Sequence, residues 1–281
     1  MTGRTVLITG TSSGIGLATA IATARAGWQT VATMRDLTRA GSLRAAAEAA
    51  SVQVDVRVLD VTDPSSVAAC VAGVVADHGG LDALVNNAGA AYLGTLETDD
   101  LAAVRACFEV NFFGVVTTSQ AALPHLRARR GRLLTISSVG GAVGQPFNEA
   151  YCAAKFAVEG FLQSLAPVAA TVGVSVGVIE PGAVTSEFVT NLGLDVPALV
   201  AQVGPYGPAL QAYLARTAAQ FASSAAQSPD AVAACVLESL TVDRLPFRTQ
   251  TSDGARAFVG ASLADLDGSA VYGLTSGWVT G

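Results

Sequence analysis

The chain has 281 residues, of which 51% are hydrophobic and 14% are charged, and its formal net charge is −6. This composition predicts one globular domain spanning residues 1–281 and excludes a disordered or fibrous chain. The negative charge and the lack of a long Lys/Arg run argue against nucleic acid and anionic membrane surfaces as partners.

The cysteines lie far apart in the sequence, with no closely spaced histidine, at Cys70, Cys107, Cys152 and Cys235. This spacing argues against a metal site and a disulfide framework, and it favours free thiols in a reducing, cytoplasmic compartment. The first residues lead directly into a predicted strand, which leaves no room for a signal peptide. Residues 160–179 carry no charge and have the length of a membrane span, but glycines and a proline interrupt them. We therefore predict a buried helix followed by a buried strand there.

Short apolar runs alternate with longer helical patterns along the chain. Runs of this length, rich in Val, Leu and Ile, are typical of strands covered on both faces. A helix after each strand predicts an α/β fold with a doubly wound parallel sheet of the Rossmann type. The predicted strands are Val6–Thr9, Thr30–Met34, Val54–Leu59, Ala83–Asn86, Arg132–Ser137, Val174–Ile179 and Phe247–Thr251.

A glycine-rich turn, Thr9-Gly10-Thr11-Ser12-Ser13-Gly14-Ile15-Gly16, follows the first strand and precedes a helix predicted to run to about Ala26. Glycines allow a tight turn and let a phosphate approach the N–H groups at the positive end of a helix. Between a strand and a helix, such a turn predicts a dinucleotide site, with a purely structural turn as the alternative.

The second predicted strand ends in Ala32-Thr33-Met34-Arg35-Asp36, and this end bears on the choice of dinucleotide. An acidic residue here binds the ribose 2′-hydroxyl of NAD, whereas an arginine accommodates the 2′-phosphate of NADP. Met34 supplies no acid and Arg35 supplies a planar cation, which favours NADP, with Ser12 as a further donor to the phosphate. Asp36, one residue further, is expected to point away.

The regular alternation is interrupted once, by residues 186–227, which follow the sixth predicted strand. Ligand clefts of open α/β sheets lie beyond the carboxyl ends of the strands, so this apolar insertion is predicted to be a substrate lid. A helical hairpin without a ligand role, or a dimer contact, is the alternative.

Tyr151 and Lys155 are one helical turn apart, which places their polar groups on one face of a helix. A positive charge beside a phenol favours the phenolate, so the two residues could form an acid–base pair. From this spacing alone, an exposed tyrosine beside a solvated lysine is the alternative.

Several motifs occur together in an order that resembles the short-chain dehydrogenase/reductase family over residues 3–250. They are the glycine-rich turn, Asp60-Val61, Asn86-Asn87-Ala88-Gly89, Asn111, Ser137-Ser138, Tyr151 with Lys155, and Pro181-Gly182. The resemblance implies an NADP(H)-dependent oxidoreductase that interconverts a carbonyl compound and its alcohol. It also implies a homodimer or homotetramer formed through the helices around Leu101–Leu126 and Ala150–Thr171.

The resemblance also implies a role for individual residues. Tyr151 would be the general acid–base, Lys155 would lower its pKa and hold the nicotinamide ribose, Ser138 would fix the substrate carbonyl, and Asn111 would anchor a proton-relay water. The implied cofactor-binding residues are Gly10, Ser12, Ser13, Gly14, Ile15, Gly16, Arg35, Asp60, Val61, Asn87, Ala88, Gly89, Tyr151, Lys155, Pro181, Gly182, Val184 and Ser186. The implied substrate-binding residues are Ser138, Gly140, Val143, Phe147, Tyr151 and Phe188.

A narrower likeness lies between Cys107 and Phe188, in CFEVNFFG, SSVGGAVGQPFNEAYCAAKFAVEG and PGAVTSEF. These segments resemble the branch that contains 17β-hydroxysteroid dehydrogenase type 1 and the retinol dehydrogenases, which implies bulky apolar alcohols and carbonyls as substrates. Ser186 departs from the family pattern, which has Thr at this position.

Two other functions remain open. One is an NADP-binding redox sensor that has lost catalysis, although such a protein would not need the complete set of catalytic residues. The other is a 3-oxoacyl carrier-protein reductase, whose acidic partner could dock on the arginines Arg127, Arg129, Arg130 and Arg132.

Overall fold

The computed structural model describes residues 3–185, 195–222 and 226–280. The strands are β1 (Thr5–Thr9), β2 (Gln29–Met34), β3 (Asp55–Val58), β4 (Ala83–Asn86), β5 (Arg132–Ile136), β6 (Ser175–Glu180) and β7 (Arg248–Gln250). They form a central parallel sheet with the strand order β3-β2-β1-β4-β5-β6-β7. The predicted doubly wound sheet is thereby confirmed, and the seven predicted strands match the observed ones to within two residues at each end.

Helices cover both faces of the sheet because successive strand residues point to opposite sides. The helices are α1 (Gly14–Arg25), α2 (Gly41–Ala49), α3 (Pro64–His78), α4 (Leu101–Phe108), α5 (Gly114–Arg129), α6 (Glu149–Ala170), α7 (Val196–Gln202), α8 (Gly207–Ala222), α9 (Pro229–Thr241), α10 (Asp253–Leu263) and α11 (Ser269–Ser276). Leu7 belongs to one core layer, with α3, α5 and α6, whereas Val6 and Ile8 belong to the other, with α1, α2 and α9.

The strand order reverses between β1 and β4, and this reversal fixes where a ligand can bind. The crossovers from β1 and from β4 lead to opposite sides, which opens a crevice at the carboxyl ends of the strands. The glycine-rich turn after β1 and the Asn86–Gly89 segment after β4 therefore meet at this crevice.

Residues 160–179 contain the end of α6 and most of β6, an inner strand of the sheet, as predicted for a buried helix followed by a strand. Among the described residues, one continuous helical stretch, Leu101–Arg129, is long and apolar enough to cross a membrane by length and composition alone. Within that stretch, α5 contributes Val115, Ala122 and Leu126 to the core layer on the sheet.

The described parts of the 186–227 insertion are α7, a short 3-10 turn and α8. Its base is closed by a bridge between Val184 and Gln227, in which Thr185 N–H donates to the Gln227 carbonyl at 2.9 Å. Val203, Leu210 and Tyr213 of the insertion pack on Phe147, which precedes α6. The insertion thus lies beside the segment that leads from β5 to α6.

Candidate active site

The glycine-rich turn brings backbone close to backbone at the mouth of β1. Gly10 has φ +70°, and a Cβ atom there would lie 2.7 Å from the Cα of Ala88. A Cβ on Gly16 would overlap the carbonyl oxygen of Gly10. Ser13 precedes α1 without a side-chain capping bond, so the first N–H groups of the helix are available to an anion.

The loops after β1 and β4 are joined by two side chains. Asn87 Nδ2 donates to the carbonyl oxygens of Thr9 and Gly10, at 2.9 Å each. The buried hydroxyl of Thr9 accepts from the backbone N–H groups of Asn87 and Ala88, both at 3.0 Å. These bonds hold the floor of the crevice rigid on both sides of the strand reversal.

Arg35 and Arg39 line the crevice where β2 ends, together with Asp36. The carboxylate of Asp36 accepts from the N–H and the hydroxyl of Thr38, at 2.9 and 2.7 Å, and these bonds lower its pKa. The expectation that Asp36 points away is therefore only partly met, because the residue borders the crevice while its carboxylate is engaged by Thr38.

Asn111 lies on a single π-helical turn, Glu109–Phe113, inserted between α4 and α5. Such turns occur frequently at functional sites, because the extra residue redirects a side chain. Asn111 is fully buried, and its Nδ2 donates to the carbonyl oxygens of Ala90 and Cys107 at 2.9 and 3.0 Å. The residue lies behind Gly89, beneath the crevice wall.

Lys155 and Tyr151 project from the first turns of α6. Lys155 is 4% exposed; its Nζ donates to the Ile136 carbonyl at 3.0 Å and lies 5.7 Å from the ring centre of Tyr151. Burial lowers the pKa of Lys155 to about 8. Burial raises the pKa of Tyr151 above its ordinary value, and the hydrogen bond with Ser138 opposes this rise.

The expected lowering of the Tyr151 pKa by Lys155 is not met in this structure, because burial raises this pKa and the opposing effect comes from Ser138. Tyr151 is partly exposed to the crevice, so water there weakens the effect of burial. The phenol is nevertheless a neutral hydrogen-bond donor at neutral pH, which suits protonation of a developing alkoxide.

Ser138 follows β5, and its Oγ accepts from the N–H of Gly140 at 3.0 Å, which caps a 3-10 turn at Val139–Gly141. Its neighbour Ser137 donates to the buried carboxylate of Glu159 at 2.6 Å. The serine segment is therefore held from behind by a side chain of α6, one turn beyond Lys155.

Glu159 belongs to a buried acidic pair that the sequence analysis did not identify. Its partner Glu180 is also fully buried, and Arg248 of β7 contacts both. Burial, together with the neighbouring Glu159, raises the pKa of Glu180 to about 7. One available sequence signal is the position of Glu180, an acid at the end of an apolar strand.

One crevice of about 680 Å³ brings nearly all of the predicted site residues together. This volume is in the range of small-molecule and cofactor sites. Every predicted cofactor-binding residue within the described ranges lines it, as do Ser138 and Tyr151. The glycines, the uncapped start of α1 and the arginines after β2 are together suited to a dinucleotide.

Some predicted site residues lie elsewhere. Val143 is fully buried against α10, and Phe147 packs on α8, so both are beneath the crevice surface. Gly140 lies beside Gln145 and Cys152, behind Ser138. Ser186 and Phe188 are outside the described residues.

The outer wall of the crevice was missed by the sequence analysis. It is formed by α8 and by the segment after β7, where Phe258 and Trp278 stack with ring centres 5.7 Å apart. Arg216 of α8 lies 4.8 Å above the Trp278 ring. This wall carries no motif, and the recognised resemblance ended at residue 250.

The arginine cluster considered for a carrier-protein partner is at the other end of β5. Arg132 is the first residue of that strand and donates to the carbonyl oxygens of Ser239 and Val242. Arg129 donates to the Gly79 carbonyl. These two side chains are engaged by main-chain oxygens at the edge opposite the crevice, which disfavours that alternative.

Within residues 3–185, 195–222 and 226–280, no group of three or more His, Cys, Asp and Glu side chains could hold a metal ion. The four cysteines are all free thiols, and burial raises the pKa of Cys152, next to Tyr151, to about 11.

Comparisons with known proteins point to the same family as the sequence motifs. A family model described as short chain dehydrogenase matches residues 4–196. Retinol dehydrogenase 8 of Bos taurus is 38% identical in an alignment that covers 95% of this chain and 87% of that protein. The 17-beta-hydroxysteroid dehydrogenase type 1 of Homo sapiens is 38% identical in an alignment that covers 94% of this chain and 82% of that protein.

A solved structure agrees with this relationship. The short-chain dehydrogenase from Streptomyces avermitilis superimposes with a TM-score of 0.76 at 31% sequence identity. The superposition covers 93% of this chain and 92% of that one. The likeness therefore extends beyond the residues matched by the family model, into the segments that follow β6.

Proposed function

Because the chain belongs to the short-chain dehydrogenase family, we propose that it is an NADP(H)-dependent oxidoreductase that interconverts an apolar ketone or aldehyde and the corresponding alcohol. Oxidoreduction of an alcohol or carbonyl group with a nicotinamide dinucleotide follows from the family. The choice of NADP and the apolar substrate are our inferences. The observation that carries the proposal is the meeting of Ser138, Tyr151 and Lys155 with the glycine-rich turn in one crevice.

The proposed chemistry assigns each polar group one task. The nicotinamide dinucleotide, when bound, supplies a hydride to the carbonyl carbon in reduction and accepts one in oxidation. In reduction, the Ser138 hydroxyl and the Tyr151 phenol donate to the carbonyl oxygen, and the Tyr151 proton then passes to the alkoxide. The phenolate regains its proton from solvent, and the adjacent cation of Lys155 stabilises it in the interval.

The remaining predicted roles follow from position. The predicted cofactor-binding residues line the crevice from the glycine-rich turn to Val184, and we propose that they contact the dinucleotide. Asn111, bonded to Ala90 beneath the surface, would position the backbone next to Lys155 and hold a relay water there.

The preference for NADP is supported by the residues that follow β2. Arg35 and Arg39 border the crevice, and neither takes part in an ion pair recorded among the described side chains. Met34 is buried and has no carboxylate that could bind the ribose 2′-hydroxyl of NAD. The acid that is present, Asp36, accepts two hydrogen bonds from Thr38.

The apolar substrate is supported by the outer wall of the crevice and by two relatives, a retinol dehydrogenase and a 17-beta-hydroxysteroid dehydrogenase, whose names indicate apolar alcohols as substrates. Phe258, Trp278 and Leu274 present apolar surface to the crevice, and α8 lies across it as part of the proposed lid. A bulky apolar alcohol or carbonyl compound suits such a wall.

We also propose a homodimer or homotetramer in the cytoplasm. Leu101, Phe113 and Phe161, on α4, the π turn and α6, expose large apolar side chains, at 58%, 48% and 37% of their surface. Burying them against a second copy would remove this surface from water. The four free thiols support a reducing compartment.

The test is a panel of aldehydes, ketones and secondary alcohols, read by absorbance of NADPH and, separately, NADH. We expect turnover of apolar members with NADPH at a higher kcat/KM than with NADH. No turnover of any member with either dinucleotide would contradict the oxidoreductase, whereas a preference for NADH would contradict only the choice of cofactor.

A further inference from the structure

In the described part of the chain, a single accessible positive charge lies on the substrate side of the crevice. The charged residues lining the crevice are Arg35, Asp36, Arg39, Asp60, Lys155 and Arg216. The first four follow β2 and β3, at one end of the sheet, and Lys155 is buried against the Ile136 carbonyl. Of the described residues, Arg216 alone therefore brings an exposed charge to the side formed by β5, β6 and the C-terminal helices.

The surroundings of Arg216 locate it on the side of the reacting carbonyl. Its guanidinium stacks on Trp278, and Trp278 stacks on Phe258. Phe258 packs on the cluster that contains Val139, the residue after Ser138. A chain of contacts thus leads from Ser138 along an aromatic wall to the cation.

Two hydrogen-bond donors on this wall have no recorded acceptor in the described part of the chain. Arg216 takes part in no ion pair there, and the buried indole N–H of Trp278 has no hydrogen-bond partner. Stacking uses the face of a guanidinium and leaves its in-plane N–H groups to bind a carboxylate. The indole N–H of Trp278 is buried, so the exposed Arg216 guanidinium is the donor of this wall that a ligand carboxylate can reach.

We propose that Arg216 selects substrates that carry a carboxylate at the end remote from the reacting carbonyl. This inference rests on the proposed function, and it narrows the substrate from a neutral apolar compound to an apolar oxo- or hydroxy-carboxylic acid. The apolar part of the substrate would lie along Phe258 and Trp278, and its carboxylate would form an ion pair with the Arg216 guanidinium.

The test compares acids with their neutral esters. The probes are 6-oxohexanoate, 9-oxononanoate and 12-oxododecanoate, each beside its methyl ester, with kcat/KM measured by NADPH oxidation. We expect the best acid of the series to exceed its ester by at least tenfold at low ionic strength. Salt should reduce the ratio, because it screens an exposed charge pair.

Variants identify the residue responsible. In Arg216→Gln the acid-to-ester ratio should fall to about one, and Arg216→Lys should retain part of it because the charge is kept. The matched control is Arg4→Gln. Arg4 directly precedes β1, away from the crevice, and its guanidinium stacks 4.3 Å above the ring of Trp28. This control should keep the ratio of the unmodified enzyme.

The outcomes separate the two proposals. Turnover of acids and esters at equal rates overturns the role of Arg216 and leaves the oxidoreductase intact. The role is also overturned if Arg216→Gln keeps the ratio but weakens NADPH binding, since the cation would then serve the cofactor. If no acid or ester is reduced but members of the panel of aldehydes, ketones and secondary alcohols are turned over, the role of Arg216 is overturned. Absence of turnover with the acids, the esters and the whole panel contradicts the proposed function itself.

Discussion

Glu159 and Glu180 share one guanidinium: Arg248 Nε lies 3.0 Å from Glu159 Oε2 and 3.2 Å from Glu180 Oε1. Both carboxyl groups are buried, and a single positive charge cannot balance two carboxylates in a poorly solvated site. Burial and then the neighbouring Glu159 raise the pKa of Glu180 to about 7, so Glu180 keeps a proton up to near neutral pH. Glu159 also accepts a hydrogen bond from Ser137, so the acidic pair lies behind the segment that carries Ser138.

Ionisation of Glu180 is expected to lower the free energy of unfolding of the protein as pH rises from about 5 to 7. The folded state keeps a proton on this carboxyl up to about pH 7, whereas the unfolded chain releases it near the ordinary value of 4.5. The native state thus binds more protons in this window, and the free energy of unfolding falls as pH rises through it, by on the order of 1–3 kcal/mol.

The measurement is Tm and chemical unfolding at several pH values for the unmodified protein and for Glu180→Gln, which mimics the protonated form. The variant should show a flatter profile between pH 5 and 7. The control, Glu238→Gln, alters an exposed acid on α9 and should reproduce the unmodified profile. A Glu180→Gln curve parallel to the unmodified one would show that the pair carries no proton.

Gly16 and Gly160 should respond to alanine in opposite directions. At Gly16 the new Cβ meets the Gly10 carbonyl oxygen and Asn87, so Gly16→Ala should destabilise the fold by about 1–3 kcal/mol and weaken dinucleotide binding. At Gly160, within α6, the new atom enters open space, so Gly160→Ala should stabilise by about 0.5–1 kcal/mol. Urea unfolding and NADPH titration measure both; a harmless Gly16→Ala would refute the close approach.

Cofactor preference is expected to depend on the residues at the end of β2. Arg35→Ala removes a charge-assisted contact with a 2′-phosphate, so kcat/KM for NADPH should fall roughly 10- to 100-fold with little change for NADH. Adding Met34→Asp supplies an acid for a 2′-hydroxyl and should move the preference to NADH. Arg44→Ala, an exposed change on α2, is the control and should leave both values unchanged. An Arg35→Ala variant that still prefers NADPH by the original factor would show that this side chain does not read the phosphate.

Substitutions of Tyr151 and Lys155 should separate the effect on proton transfer from the effect on cofactor binding. Tyr151→Phe removes only the hydroxyl, so kcat should fall by at least ~10²–10⁴-fold while NADPH binding survives. Lys155→Met should weaken both, because the ammonium is assigned to the phenol and to the ribose. Tyr206→Phe, which loses a surface hydrogen bond to Glu97, is the control. Steady-state kinetics with fluorescence titration of NADPH measure the two effects, and near-normal turnover in Tyr151→Phe would rule out this proton donor.

Much of the fold and the cofactor side of the crevice could be predicted from the sequence. The strands were recognisable because a parallel sheet buried on both faces requires continuous apolar runs, and helices between them dictate the crossover topology. The glycine-rich turn and the Asn86–Gly89 segment were recognisable because short loops at strand ends carry their chemistry in adjacent residues. For such local features, chain order and spatial order coincide.

The tertiary structure alone decided the features that depend on distant contacts. The pairing of Glu159 with Glu180 joins α6 to β6 through Arg248 of β7, and the stack of Arg216 on Trp278 joins residues 62 positions apart. The burial that raises the pKa of Tyr151, where the sequence predicted a lowering by Lys155, is likewise a property of the packed site. Charge balance and desolvation depend on which groups share a buried volume, and a one-dimensional pattern does not specify that volume.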